Sequence, residues 1–254
     1  MVFNQIQDPV YQFKVRDLFE VNAPIIFFTH LSITNIGLYL ILGTFLILMF
    51  NYLSLNIKNI AANIWSTSKQ LVYDTIYSII IKQINALKGQ NYFPFIYALF
   101  SFILVHNLIG MVPYDFASTT HFISTFSMSF TVVLGSTFIG FALYKLFYFG
   151  FFVPSGCPLL LLYLLVLIEF ISYIARNFSL GLRLAANTLS GHMLLNILSE
   201  FTSKILKSIY FILALIPYIF VVMFSALEFG IAFIQAQVFA VLSSSYIKDG
   251  LSLH

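Results

Sequence analysis

Three charged residues recur at intervals of seven in an otherwise apolar stretch: Glu169, Arg176 and Arg183. At about 100° per residue this spacing puts them along one stripe of a helix. The helical neighbours of Arg183 are small or polar (Ser179, Ala186, Asn187 and Ser190), and such a face lets another helix approach closely in a membrane. His192 comes nine residues after Arg183 and therefore faces roughly the opposite way, on a stripe with Thr188 and Asn196. Farther along, Glu228 and Gln235 are again seven apart, accompanied by a ridge of Ala232, Ala236 and Ala240.

These residue types suit the handling of protons. Imidazole and carboxylate groups take up and release them, so His192 and Glu228 are fitted to pass a proton along. Arginine stays protonated and acts as a fixed positive charge. At about 4 Å and an effective dielectric near 20, such a charge favours a nearby carboxylate by about 4 kcal/mol. An acid brought to Arg183 would be driven to release its proton, and the same charge would repel a proton leaking straight past. Plainer readings stand beside this one. Arg183 and Glu228 could form a structural intramembrane ion pair, His192 could be a hydrogen-bonded core group, and Asn187 and Gln235 could serve as interhelical glue.

The elements that must position these groups are membrane helices. The 254-residue chain is 60% hydrophobic and 8% charged, with a mean hydropathy of +0.96, whereas a soluble domain carries about 25% charged residues. The fold class expected is an all-α polytopic membrane protein forming a single membrane domain over 1–254. Cys157 is the one cysteine, which excludes an internal disulfide and a CxxC metal motif. The net charge of +3 and the lack of any nucleic-acid motif point away from nucleic acid. Asp8, Lys14, Arg16, Asp17 and Glu20 precede the first apolar run, unlike a cleavable signal peptide or a transit sequence. Neither a metal nor a cofactor is expected.

In chain order, residues 1–32 read as a surface segment broken by Pro9 and Pro24, and 36–53 as the first perpendicular span. Residues 58–88 collect Lys58, Lys69, Lys82 and Lys88 against Asp74, with apolar residues near helical spacing. That pattern predicts an amphipathic helix on the membrane surface. The positive-inside rule puts it on the matrix or cytoplasmic face and the N-terminus opposite. A helical hairpin follows over 93–112 and 122–150, its loop carrying Asp115; His106 and Asn107 inside the first arm read as packing groups and Lys145 as a snorkelling side chain. Pro154, Gly156 and Pro158 mark a turn. With no Pro/Gly-rich loop between Leu159 and Phe201, the remainder reads as two long helices, 159–200 and 205–247, both strongly tilted and the second kinked at Pro217.

The run Ile168–His192, including Arg176-Asn177-Phe178-Ser179-Leu180-Gly181-Leu182-Arg183-Leu184-Ala185-Ala186-Asn187, closely resembles subunit a of F-type ATP synthases in its mitochondrial form. Leu227-Glu228-Phe229, Ile234-Gln235-Ala236 and the tail from Ser245 through Asp249 to His254 resemble the same family's C-terminus. Weaker similarity covers Asn107 to Tyr114 and Val153 to Gly156.

The resemblance implies a multi-pass stator subunit of the mitochondrial inner membrane, with its N-terminus on the intermembrane-space side and the two long helices lying near the membrane plane. Such a subunit carries protons through two offset half-channels to and from a ring of c subunits, beside the peripheral stalk and other subunits. By the same resemblance Arg183 faces the ring carboxylates and separates the half-channels. His192 and Glu228 line the inlet, Glu169 marks the matrix-side outlet, and Asn187 and Gln235 lie near the arginine. Arg176, Asp249, Ser179, Ala186 and Ser190 are expected in support. No GxxxxGK[ST] phosphate loop is present, so nucleotide chemistry would belong to partner subunits. Two rival readings are an anion-binding secondary transporter, which would need pseudo-symmetric halves, and a non-conducting scaffold whose buried charges merely pair.

Overall fold

Asn35 joins the N-terminal segment to the first membrane helix. Its backbone N–H donates to the Arg16 carbonyl (3.1 Å), its amide donates to the Lys14 carbonyl (3.2 Å), and its side-chain oxygen accepts from the Arg16 backbone N–H (3.2 Å). The computed structural model describes residues 13–22, 30–55, 63–84, 89–112, 116–153, 159–207 and 211–251. Residues 1–12, 58–62 and 85–88, the Asp115 loop, the 154–158 turn with Cys157, and 252–254 lie outside them.

The helices are α1 (Asn35–Leu53), α2 (Ile64–Ile84), α3 (Phe93–Gly110), α4 (Phe122–Tyr144), α5 (Leu159–Leu206) and α6 (Leu215–Leu251). Short 3-10 segments at Ser118–Thr120, Lys145–Phe152 and Phe211–Ala214 join or extend them. By length and apolarity α1, α3, α4 with its 3-10 extension, α5, and α6 with the 3-10 turn before it are each able to cross a membrane.

Among the described residues the expected all-α fold carries one exception, an antiparallel hairpin of β1 (Asp17–Asn22) and β2 (His30–Thr34). Phe19-Glu20-Val21-Asn22 and Leu31-Ser32-Ile33-Thr34 alternate apolar and polar residues, the period-two signature of a strand. Pro24, which argues against a helix there, falls between the strands. Thr34 then ends the hairpin and caps α1, its hydroxyl accepting from the Gly37 N–H at 3.4 Å.

Three further boundaries differ from the sequence reading. The third span gives way to 3-10 structure at Lys145, whose φ of 51° and ψ of −128° end α4; this residue does more than snorkel. The first long helix runs on through the charged stretch to Leu206. The second begins at Leu215, so Pro217 lies in its first turn, where a missing N–H costs no helical bond and no internal kink is required.

The core forms where α2, α3 and α6 meet. Ile76, Ile80 and Ile84 recur every four residues along one face of α2 and are buried with Ile96, Phe100 and Ile103 of α3. Phe239, Ala236 and Ala240 of α6 complete this layer, and Val132, Leu180 and Leu184 extend it to α4 and α5. The alanine ridge of α6 keeps the backbones close, since dispersion contacts replace the hydrophobic effect inside a bilayer.

Candidate functional site

Arg183 and His192 lie on opposite flanks of α5. Arg183 is exposed and has no ion-pair partner among the described residues. It lines an open groove of about 710 Å³ on the face of α5 between Ile171 and Ala186, together with Ser179 and Leu182. Of the small or polar residues expected around the arginine, Ser179 and Ala186 line this groove, whereas Asn187 lines the cavity beside His192. The spacing of the groove's lining residues alternates between three and one, as one flank of a helix requires.

His192 points the other way, into the junction of α5, α6 and α3. Its Nδ1 is 3.4 Å from Glu228 Oε1, and both side chains are largely buried (13% and 11% exposed). Glu228 therefore pairs with the histidine, which removes the structural Arg183–Glu228 pair as an explanation for either residue. Gly191 makes the approach possible: a Cβ there would stand 2.7 Å from Glu228 Oε1.

A small cavity of about 20 Å³ lies beside the pair, lined by Asn107, Asn187, Thr188, His192, Glu228 and Gln235 among others. That is room for about one water. Glu228 Oε2 and Asn107 Oδ1 are buried there without a hydrogen-bond partner among the described residues. Buried polar atoms are nearly always satisfied by protein or ordered water, so these two suit a hydrated cavity.

A pair of amides stands on the His192 side. Asn187, one turn after Arg183, donates from Nδ2 to Gln235 Oε1 at 3.2 Å, and both line the cavity beside His192 and Glu228. The seven-residue step from Glu228 to Gln235 on α6 thus matches the shorter step from His192 back to Asn187 on α5. Ser190 is exposed, and its hydroxyl donates to the Asn187 carbonyl (3.2 Å).

At the far end of the stripe Arg176 Nη2 is 3.6 Å from Glu169 Oε1, with both side chains 40–50% exposed. An exposed pair of this kind contributes about 0–1 kcal/mol, so its place on the stripe says more than its energy. Arg176 and Asp249 both act electrostatically on Tyr173 and Tyr246, and Arg183 acts on Tyr246 as well.

Sequence reasoning undervalued Asn107. Its neighbour His106 bonds Phe102 O through Nδ1 (2.8 Å), a packing arrangement, whereas Asn107 lines the cavity and reaches the Ala232 carbonyl (3.5 Å). Nothing in the local pattern distinguishes the two, because Ala232 lies 125 positions away. Asn177 was likewise only one residue of a motif; its Oδ1 accepts from Ser129 Oγ at 2.7 Å, bridging α5 to α4.

This is a polytopic helical membrane protein in which a carboxylate–imidazole pair and an arginine without an ion-pair partner among the described residues occupy opposite flanks of one long helix. The profile described as ATP synthase A chain matches residues 36–248. The chain is 64% identical over 254 residues to the ATP synthase subunit a of Emericella nidulans, covering 99% of each. It is 60% identical over 248 residues to that of Podospora anserina (97% of this chain, 94% of the relative) and 58% over 255 to that of Neurospora crassa (100% and 97%). The chain belongs to the ATP synthase A chain family.

Proposed function

We propose that this chain is the proton-carrying stator subunit of the membrane sector of an F-type ATP synthase, multi-pass in the mitochondrial inner membrane with its N-terminus on the intermembrane-space side. It does not itself hydrolyse or make ATP; it couples proton flow to rotation of a c-subunit ring, held by the peripheral stalk and other subunits. The observation that carries this reading is the division of α5 into two flanks, the open groove at Arg183 on one and the His192–Glu228 pair with the Asn187–Gln235 amides on the other.

Protons reach His192 and Glu228 from the side of the N-terminal hairpin. They pass the amides and protonate a ring carboxylate standing in the Arg183 groove. After nearly a full turn of the ring, the carboxylic acid returns to the other side of Arg183 and ionises there, releasing its proton toward Glu169 and Arg176. The arginine serves because it cannot lose its own proton. Exposure without an ion-pair partner among the described residues leaves its charge available, and an arginine at mid-membrane costs roughly 2.5–3.5 kcal/mol, which a partner's carboxylate offsets. The exposed Ile171, Ile174, Phe178 and Leu182 around it supply an apolar wall for an adjoining helix.

Helix length supports a near-horizontal placement of the long pair. The 48 and 37 residues of α5 and α6 span about 72 Å and about 56 Å at 1.5 Å per residue. A hydrocarbon core is only about 30 Å thick, so each helix tilts strongly, following the rim of a ring.

Arg183→Ala in assembled complexes tests the reading. Proton-driven ATP synthesis should fall at least ~100-fold, since about 3 kcal/mol of charge stabilisation is lost. Normal coupling in the alanine variant would overturn it.

A further inference from the structure

The N-terminal segment turns one side chain inward, and that side chain meets the carboxylate–imidazole pair. Lys14 to Leu18 are all exposed, whereas Phe13 is buried, only 6% exposed. Its ring packs obliquely against the His192 imidazole, with centroids 6.1 Å and planes 47° apart. Aromatic rings favour such tilted contacts.

The backbone around Phe13 is fastened from two directions. His121, the residue before α4, hydrogen-bonds the Phe13 backbone through its ring, and that ring is itself stacked on Phe116 (centroids 5.1 Å, planes 23° apart). Asn35, at the start of α1, takes hold just beyond: its amide donates to the Lys14 carbonyl (3.2 Å) and its side-chain oxygen accepts from the Arg16 N–H (3.2 Å). Residues 14–16 belong to no helix or strand, so these bonds, and not regular structure, set where Phe13 lies. A functional side chain is held precisely when the groups behind it are locked in this way.

His192 has need of such a hold. The terminal torsion of a histidine is broad and roughly two-fold, so the side chain alone does not select the orientation that keeps Nδ1 toward Glu228. That contact is 3.4 Å, slightly longer than the reach of about 2.6–3.2 Å for direct proton transfer, and further loosening would separate the pair. The other nitrogen is bounded by the α3 backbone, where a Cβ on Gly110 would stand 3.6 Å from Nε2. Glu228 and Gly110 thus border the two nitrogens, and Phe13 presses on the ring between them.

We infer that Phe13 is a positioning residue for proton transfer at His192: its ring wedges the imidazole so that Nδ1 stays on Glu228, and His121 and Asn35 hold the wedge in place. Phe13 handles no proton itself. This rests on the proposed path through His192 and Glu228.

The test uses whole ATP synthase complexes reconstituted in vesicles, with proton flux per assembled complex as the readout. Phe13→Ala should pass protons roughly fivefold more slowly. Phe13→Leu, which refills most of the volume with an apolar side chain, should regain at least about half of the wild-type rate. Adding Phe13→Ala to His192→Gln should change flux by less than about twofold, because the phenylalanine acts through the imidazole. Wild-type flux in Phe13→Ala, flux in Phe13→Leu as slow as in the alanine variant, a larger further loss in the His192→Gln background, or failure of both single Phe13 variants to assemble would overturn the wedge. Slow flux in His192→Gln beside normal flux in Phe13→Ala would overturn the wedge alone, whereas normal flux in His192→Gln would overturn the path beneath it.

Discussion

His192 Nδ1 and Glu228 Oε1 stand 3.4 Å apart across the α5–α6 contact, and Gly191 is the residue that lets them meet. The carboxylate lies against the α5 backbone where any side chain would intrude. Gly191→Ala puts a methyl 2.7 Å from Oε1 and should push Glu228 off the histidine. The carboxylate is the end of a flexible chain, so assembly should survive while proton flux falls about tenfold, equivalent to about 1.4 kcal/mol on the barrier. Reconstituted complexes driven by an imposed proton gradient would measure it, and wild-type flux would show that the pair need not stay together.

Asn187 and Gln235 should act as one unit. They share a 3.2 Å hydrogen bond, and contacting residues couple by about 0.5–3 kcal/mol in double-mutant cycles. Asn187→Ala and Gln235→Ala should each slow proton transport, and the double variant should be no slower than the worse single. Additive losses in log rate would mean that the bond between them is not what transport uses.

Ser129→Ala should lower stability without altering the proton path. The hydroxyl bonds Asn177 Oδ1 at 2.7 Å in a buried setting, and its loss strands an amide oxygen. Interhelical hydrogen bonds in membranes average about 0.6 kcal/mol with a maximum near 1.7; leaving a buried acceptor unpaired places this one toward the upper end. Detergent-induced dissociation of the purified complex would register the loss, with flux per intact complex unchanged.

Lys145→Gly should stabilise the chain. A non-glycine residue at φ 51°, ψ −128° carries about 1–3 kcal/mol of backbone strain, which glycine relieves at the cost of a more flexible unfolded chain. Lys145→Val, branched at Cβ, should be the least stable of the three. Thermal midpoints of the complexes would rank them, and a glycine variant less stable than lysine would show that the lysine side chain contributes more than the strain removes.

What the sequence determined is what local chemistry and periodicity can encode. Apolar runs of membrane length dictate helices, because a bilayer satisfies no backbone polar group. A seven-residue spacing sets Glu169, Arg176 and Arg183 on one stripe, and a nine-residue step turns His192 to the other flank; both follow from 100° per residue. The alternation in β1 and β2 was equally present but was masked by the two prolines, which argue against helix without arguing for strand.

Tertiary structure decided which groups meet. Glu228 could pair with Arg183 or with His192 on composition alone, and the crossing of α5 with α6 at Gly191 selects the histidine. Asn107 and His106 are adjacent polar residues in one span, yet only Asn107 faces the cavity, because α6 packs against that side of α3. Helical phase fixes a direction about one axis; which neighbour lies in that direction depends on contacts between segments far apart in the chain, and no local pattern records them.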